Sequence, residues 1–227
     1  FKFAGKPVAA DPADRHVGKR LRFVKVPATP MPNGHGYSRL HLREDTADAY
    51  QKLHTQVEER GGYVTTAGGK RGLSAKASPS RSKKSFHYTG RAFDLAIYSA
   101  LRDPDADPFI CVREGEDNRY WRVWCRVTDP SAPLACSVPV VTLEASVVKH
   151  KQTSSGKRYT QLETVEWTGQ AFDFTEMAQG LGFERIRGRK SFFRGGSYGG
   201  AEWWHHQYVE GLVEGVSTFG EELLKVY

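Results

Sequence analysis

Residues 85–94 read Ser-Phe-His-Tyr-Thr-Gly-Arg-Ala-Phe-Asp, which sets the His87 imidazole and the Asp94 carboxylate seven positions apart with Gly90 between them. Far downstream, Glu202-Trp203-Trp204-His205 adds a second imidazole and a second carboxylate. Two histidines, one aspartate and a spare glutamate are the parts of a hydrolytic zinc site, in which three protein ligands leave one position open. A fold that uses them must bring distant parts of the chain together and must bend between His87 and Asp94. On a straight strand the odd offset puts these two side chains on opposite faces, roughly 23 Å apart. Gly90 is the point where the backbone can turn.

Glu202 stands three residues before His205. On a helix that offset shares a face, whereas on a strand it needs a twist or a bulge. The glycines between Gly195 and Gly200 favour an irregular strand. In either case Glu202 falls beside the metal water without ligating it, the place of a base that passes a proton to a leaving amine. Trp203 and Trp204 would wall such a site and lower its dielectric; taken alone they would be core residues. His206 should point away from His205, either to a place behind the ligands or to the surface. The remaining histidines, His16, His35, His41, His54 and His150, read as surface or hydrogen-bonded residues.

The segment Ser85-x-His87-x-x-Gly90-x-Ala92-x-Asp94 resembles the S-x-H-x-x-G-x-A-x-D signature of the D-alanyl-D-alanine metallopeptidases, and Glu202-Trp203-Trp204-His205 resembles their E-x-W-H signature. That group includes the vancomycin-resistance dipeptidases and carboxypeptidases and the phage L-alanyl-D-glutamate endolysins. It belongs to the wider set named for lysostaphin, D-Ala-D-Ala peptidases and Sonic hedgehog. The resemblance spans residues 45–98 and 170–210. It implies one Zn²⁺ ion held by His87, Asp94 and His205, with Glu202 as catalytic base. It also implies an arginine ahead of the first histidine that meets the substrate carbonyl or carboxylate. Arg71, in Gly68-Gly69-Lys70-Arg71, takes that role here, without the Ser and Tyr of the family's segment, and Arg81 is the reserve candidate. Ser85, Trp203 and Arg81 would line the substrate. The implied fold is α+β, a hedgehog-like small antiparallel sheet with helices packed on one side and a β-rich insertion. The implied activity is hydrolysis of peptidoglycan stem peptides at D-Ala-D-Ala or L-Ala-D-Glu bonds, outside the cell, in the periplasm or at the wall. The alternative is a non-enzymatic, zinc-containing binding or signalling module.

At 227 residues the chain is long enough for one well-buried domain, here expected to act as a monomer. No apolar run approaches the ~20 residues of a membrane helix. The net charge of +7 suits an anionic partner such as a cell wall, although a merely soluble basic surface fits equally. Basic residues are spread along the chain, which argues against nucleic acid; the densest group is Lys70, Arg71, Lys76, Arg81, Lys83 and Lys84. Cys111, Cys125 and Cys136 lack C-x-x-C spacing, so a thiolate zinc site is excluded. Cys111 and Cys125 would bridge a hairpin in an exported protein and stay buried thiols in a cytosolic one.

The proline- and glycine-rich residues 1–40 read as an extended arm with one strand at Leu21–Val26, ahead of a domain over 41–227. Ala47, Tyr50, Leu53 and Val57 recur at helical spacing across Asp45–Arg60, with Asp45 as cap and Gly61-Gly62 as stop. Tyr63–Thr66 and Ala92–Tyr98 read as strands. Residues 102–168 read as an insertion of two hairpins, Phe109–Arg113 with Tyr120–Val127 and Val140–Lys149 with Arg158–Trp167. Its aromatics, Tyr120, Trp121, Trp124, Tyr159 and Trp167, either stack on glycan or pack a small core. Asp173-x-x-Glu176 opens a short helix closed by Gly182, and a last helix starts at Phe219.

Overall fold

Helix α1 (Glu44–Glu59) forms where the apolar spacing predicts it, burying Ala47, Tyr50, Leu53 and Val57. Asp45 does not cap it. Arg43 occupies the N-cap without a side-chain cap bond, and Asp45 instead accepts from the Arg43 guanidinium at 2.8 and 2.7 Å. An ion pair thus holds the helix start. At the other end Gly61 takes a φ of +79°, and the amides of Gly61 and Gly62 donate to Glu58 and Val57. Those bonds satisfy carbonyls the helix leaves open. The computed structural model describes residues 1–5, 20–31, 34–75, 82, 84–152, 154–156 and 158–227.

The fold is α+β, with small antiparallel sheets and few helices. Where one small sheet was expected, the strands make three. β1 (Phe23–Pro27) pairs with β2 (Arg39–Arg43). β3 (Ala92–Asp94), β8 (Phe183–Arg185) and β9 (His205–Tyr208) form a sheet in the order β3-β9-β8. β4 (Phe109–Glu114), β5 (Tyr120–Arg126), β6 (Val140–Gln152) and β7 (Arg158–Asp173) form a third, in the order β4-β5-β7-β6. The two expected hairpins are therefore one sheet, because β7 runs on past Trp167 to pair Cys125 with Phe172. Two expected strands shrink. Residues 63–66 form no ladder: their carbonyls take isolated backbone bonds, Thr29 N–H to Val64 O and Tyr37 N–H to Thr66 O, and the Thr65 and Thr66 hydroxyls bond to Ser99 and Asp94 O. The strand expected at 92–98 ends at Asp94.

The four-stranded sheet is not packed on its own. Phe109, Trp121, Val123 and Cys125 share a core with Leu42, Phe93, Phe183 and Trp203. The indole of Trp121 donates to Ala201 O at 2.7 Å. Trp121 and Trp167 are buried, so of the proposed stacking aromatics Tyr159 is the most exposed at 38%. Cys111 lies opposite Val123 and Cys125 opposite Phe109, and both are buried free thiols. Burial pushes the Cys125 thiol up to about 12. Asp173 caps α2 (Phe174–Gly180) by accepting from Glu176 N–H at 2.9 Å, as its spacing predicts. α3 (Phe219–Leu224) begins with a reciprocal Thr218–Glu221 capping box. The described parts of the proline-rich N-terminal stretch lie against the domain: Val26 is in the core, the Phe1 amino group meets Glu184 at 2.9 Å, and Phe3 stacks on Phe86.

One buried charge cluster ties these pieces together. Glu222 on α3 accepts from Arg43 at 2.6 Å and from Arg91 at 3.0 Å, with all three side chains nearly sealed from water. Burial alone would raise the Glu222 carboxyl, but Lys225, Arg43 and Arg91 hold it below its ordinary value. Removing one member leaves the others charged in a dry site, which is costly. Glu222→Ala is therefore expected to lower stability by about 3–5 kcal/mol in urea unfolding. A loss near zero would show that α3 is held by packing alone.

Candidate metal centre

The site begins with the turn that the sequence demanded. Residues 85–90 coil back on themselves, with Tyr88 N–H donating to Ser85 O and Arg91 N–H to Phe86 O. Gly90 takes a φ of +71°. A Cβ there would sit 2.5 Å from the Phe23 ring and 2.8 Å from Arg43 N, so the position needs glycine for its angle and for its space. The Gly90 carbonyl accepts from Arg43 N–H at 3.0 Å, which fastens the turn to β2.

Beyond the turn, β3 pairs with β9 so that Asp94 lies directly opposite His205. Cross-strand partners of this kind face the same side of the sheet. His205 Nδ1 is 2.9 Å from Asp94 Oδ1, and His87 Nε2 is 3.1 Å from Asp94 Oδ2. Candidate donor atoms of all three residues lie within 4.8 Å of one another, so His87, Asp94 and His205 form a group able to hold one metal ion. His87 is 4% and His205 8% exposed, while the Asp94 side chain keeps 20%, so the group is sheltered yet opens to solvent.

The hydrogen bonding around the group fits a cation. His87 Nδ1 lies 2.6 Å from Gly69 O, an acceptor only, so its proton sits on Nδ1. Nε2 faces the Asp94 carboxylate at 3.1 Å, a contact that a proton on that nitrogen or a bound cation makes attractive. A carbonyl orienting a ligand histidine in this way is the usual support of a metal site. Gly69 supplies it because a Cβ would strike His41 O at 2.5 Å, bringing the glycine-rich segment tight against β2. Burial alone would raise the Asp94 carboxyl, but His87 and His205 hold it well below the usual carboxylate range.

Glu202 precedes His205 by one tight turn, closed by a 3.3 Å bond from His205 N–H to Glu202 O. Its backbone is left-handed, with a φ of +58°, which is strained for a side chain of this kind. The carboxylate is engaged by Arg189, whose Nε and Nη2 each lie 2.8 Å from Oε1. Nothing in the spacing of the chain pointed to Arg189 or to the Gly69 carbonyl. The first belongs to a loop that tertiary folding brings back, and the second is backbone.

The other expected residues divide. Arg71 stands beside the first ligand, its N–H donating to His87 O at 2.9 Å and its guanidinium over the Tyr88 ring. Ser85 Oγ is 3.4 Å from His87 N and half-buried. Trp203 is corrected: it is 1% exposed and packs on Phe109 and Trp204, which leaves no surface for a substrate. Arg81 lies outside the described residues. His206 points away from His205 into the interior and not to the surface, stacked on Phe93, and burial lowers it to about 4.

Searches of family models, curated proteins and solved structures return no match to this chain. The site is therefore read from its own geometry.

Zinc titrated against a competing chelator is expected to bind with one ion per chain. His87→Ala or His205→Ala should abolish stoichiometric binding, whereas Ser85→Ala should retain it. Gly90→Ala, which drives a Cβ into Phe23, is expected to cost about 1–3 kcal/mol of stability in thermal unfolding and to weaken zinc binding. Unchanged behaviour of Gly90→Ala would refute the account of the turn.

Proposed function

We propose that this protein is a zinc-dependent peptidase that hydrolyses peptidoglycan stem peptides at a D-Ala-D-Ala or L-Ala-D-Glu bond. The observation that carries the reading is the convergence of His87, Asp94 and His205 on one small volume, with Glu202 one backbone turn before the last of them. A purely structural site has no need of that extra acid. The net charge of +7 adds support, since it suits an anionic wall.

A bound divalent ion would supply Lewis-acid polarisation of the scissile carbonyl and a more acidic water. Glu202 accepts a proton at its carboxylate and returns it to the leaving amine. Arg189 fixes the direction of that carboxylate through two contacts to one oxygen. Arg71, beside His87, offers a positive group to a substrate carboxylate or to the charge that develops on the carbonyl oxygen. With Nδ1 turned to the Gly69 carbonyl, His87 presents Nε2 to the position an ion would take.

The ion pair with Arg189 also favours a second reading, a zinc-containing binding module in which Glu202 is structural. One substitution separates the two. Glu202→Gln in the zinc-loaded protein is expected to lower turnover of purified muropeptides by about 100- to 10,000-fold while zinc stoichiometry is unchanged. Absence of any cleaved product from wild-type protein with bound zinc, on every wall peptide offered, would end the peptidase reading.

A further inference from the structure

A cleft of about 870 Å³ opens between the loop that follows β3 and strand β6. The loop that leaves Asp94 supplies one wall with Tyr98, Arg102 and Ala106. Val148, Lys149 and His150 of β6 supply another, and Tyr198 a third. Its size falls in the range of small-ligand sites.

Two aromatic rings dominate it. Tyr98 is 49% exposed, a large apolar face left toward solvent. It packs at 5.7 Å against Tyr198, the two rings tilted by 31°, and Tyr198 in turn stacks at 5.9 Å on Trp204, the residue before His205. The Tyr198 hydroxyl lies 2.9 Å from Ile97 O and 3.0 Å from Ala100 O, so this wall is fixed to the loop it faces. Leu101 in that loop adopts a left-handed φ of +64°, a strained conformation of the kind that collects at binding sites. Polar groups of both signs surround the rings. The Arg102 guanidinium lies 5.8 Å from the Tyr98 ring centre, and Lys149, His150 and Asp103 are exposed. Asp107 is turned inward, accepting from the amides of Arg102 and Asp103.

We infer that this cleft binds a saccharide. An exposed flat ring offers its face to the apolar C–H side of a pyranose, and neighbouring donors and acceptors of both signs match a ring of hydroxyls and amides. A peptide or lipid tail would favour a drier groove, and a polyanion would favour unmixed positive charge. Which sugar is bound rests on the peptidase reading: a stem peptide is attached to N-acetylated amino sugars, and ring contacts run from Tyr98 through Tyr198 to Trp204, the residue before His205. The β6 wall gives the four-stranded sheet a part in substrate recognition.

The test is calorimetric titration of the full chain with the peptide-free disaccharide N-acetylglucosaminyl-N-acetylmuramic acid. Saturable binding is expected, weakened at least fivefold in Tyr98→Ala and at least threefold in Arg102→Ala. The same affinity is expected in His205→Ala, which alters the metal group and not the cleft. No binding by folded wild-type protein, or unchanged affinity in Tyr98→Ala, overturns the inference. Loss of binding in His205→Ala, with its fold intact by circular dichroism, also overturns it by moving the sugar to the metal residues. Disaccharide binding without cleavage of any muropeptide supports the saccharide site while the peptidase reading fails. Cleavage without disaccharide binding does the reverse.

Discussion

The antiparallel register of β3 against β9 is the constraint on which the site rests. It sets Asp94 opposite His205 and so joins two residues 111 positions apart in the chain. A shift of one position would turn one of the pair to the opposite face of the sheet, because side chains alternate along a strand. Phe93 and His206, the neighbouring pair, face inward and stack with an interplanar angle of 11°. Their burial makes the wrong register expensive. The core thus holds the pair of ligands in place from behind.

His87 reaches the same point by other means. Its turn depends on Gly90, whose missing side chain lets β1 and β2 close over it. The Arg43 amide and the Gly69 carbonyl bind the turn and the imidazole respectively. The buried cluster of Arg43, Arg91 and Glu222 lies behind this region and clamps α3 to it. Charges that far from water are costly to separate. The arrangement provides a rigid frame for three donors with one side open, which is what a metal site with room for solvent needs.

Much of the fold was legible locally. α1, α2, α3, the β4–β5 hairpin and the Asp173 cap followed from periodicity and turn chemistry. The failures share a cause. Asp45 looked like a cap because its type and place were right, but a guanidinium two residues earlier offered it a stronger partner. Residues 63–66 had strand composition without a neighbouring strand to complete a ladder. The two hairpins of residues 102–168 merge into one sheet because β7 continues to Asp173, and periodicity cannot show which strands will lie side by side. Trp203 next to Trp204 invited a shared role, yet one fills the core beneath the sheets and the other stacks toward Tyr198.

By itself the sequence determined the chemical inventory: two imidazoles and two carboxylates at separations that make sense only if the chain turns at Gly90 and returns at His205. Residue type and local backbone freedom are written in the order of the letters. Only the tertiary structure decided that Gly69 O would orient His87, that Arg189 would hold Glu202, and that Tyr98 and Tyr198 would frame a cleft with β6. Those contacts join segments distant in the chain, and their formation depends on how whole sheets pack, a property no short stretch of sequence carries.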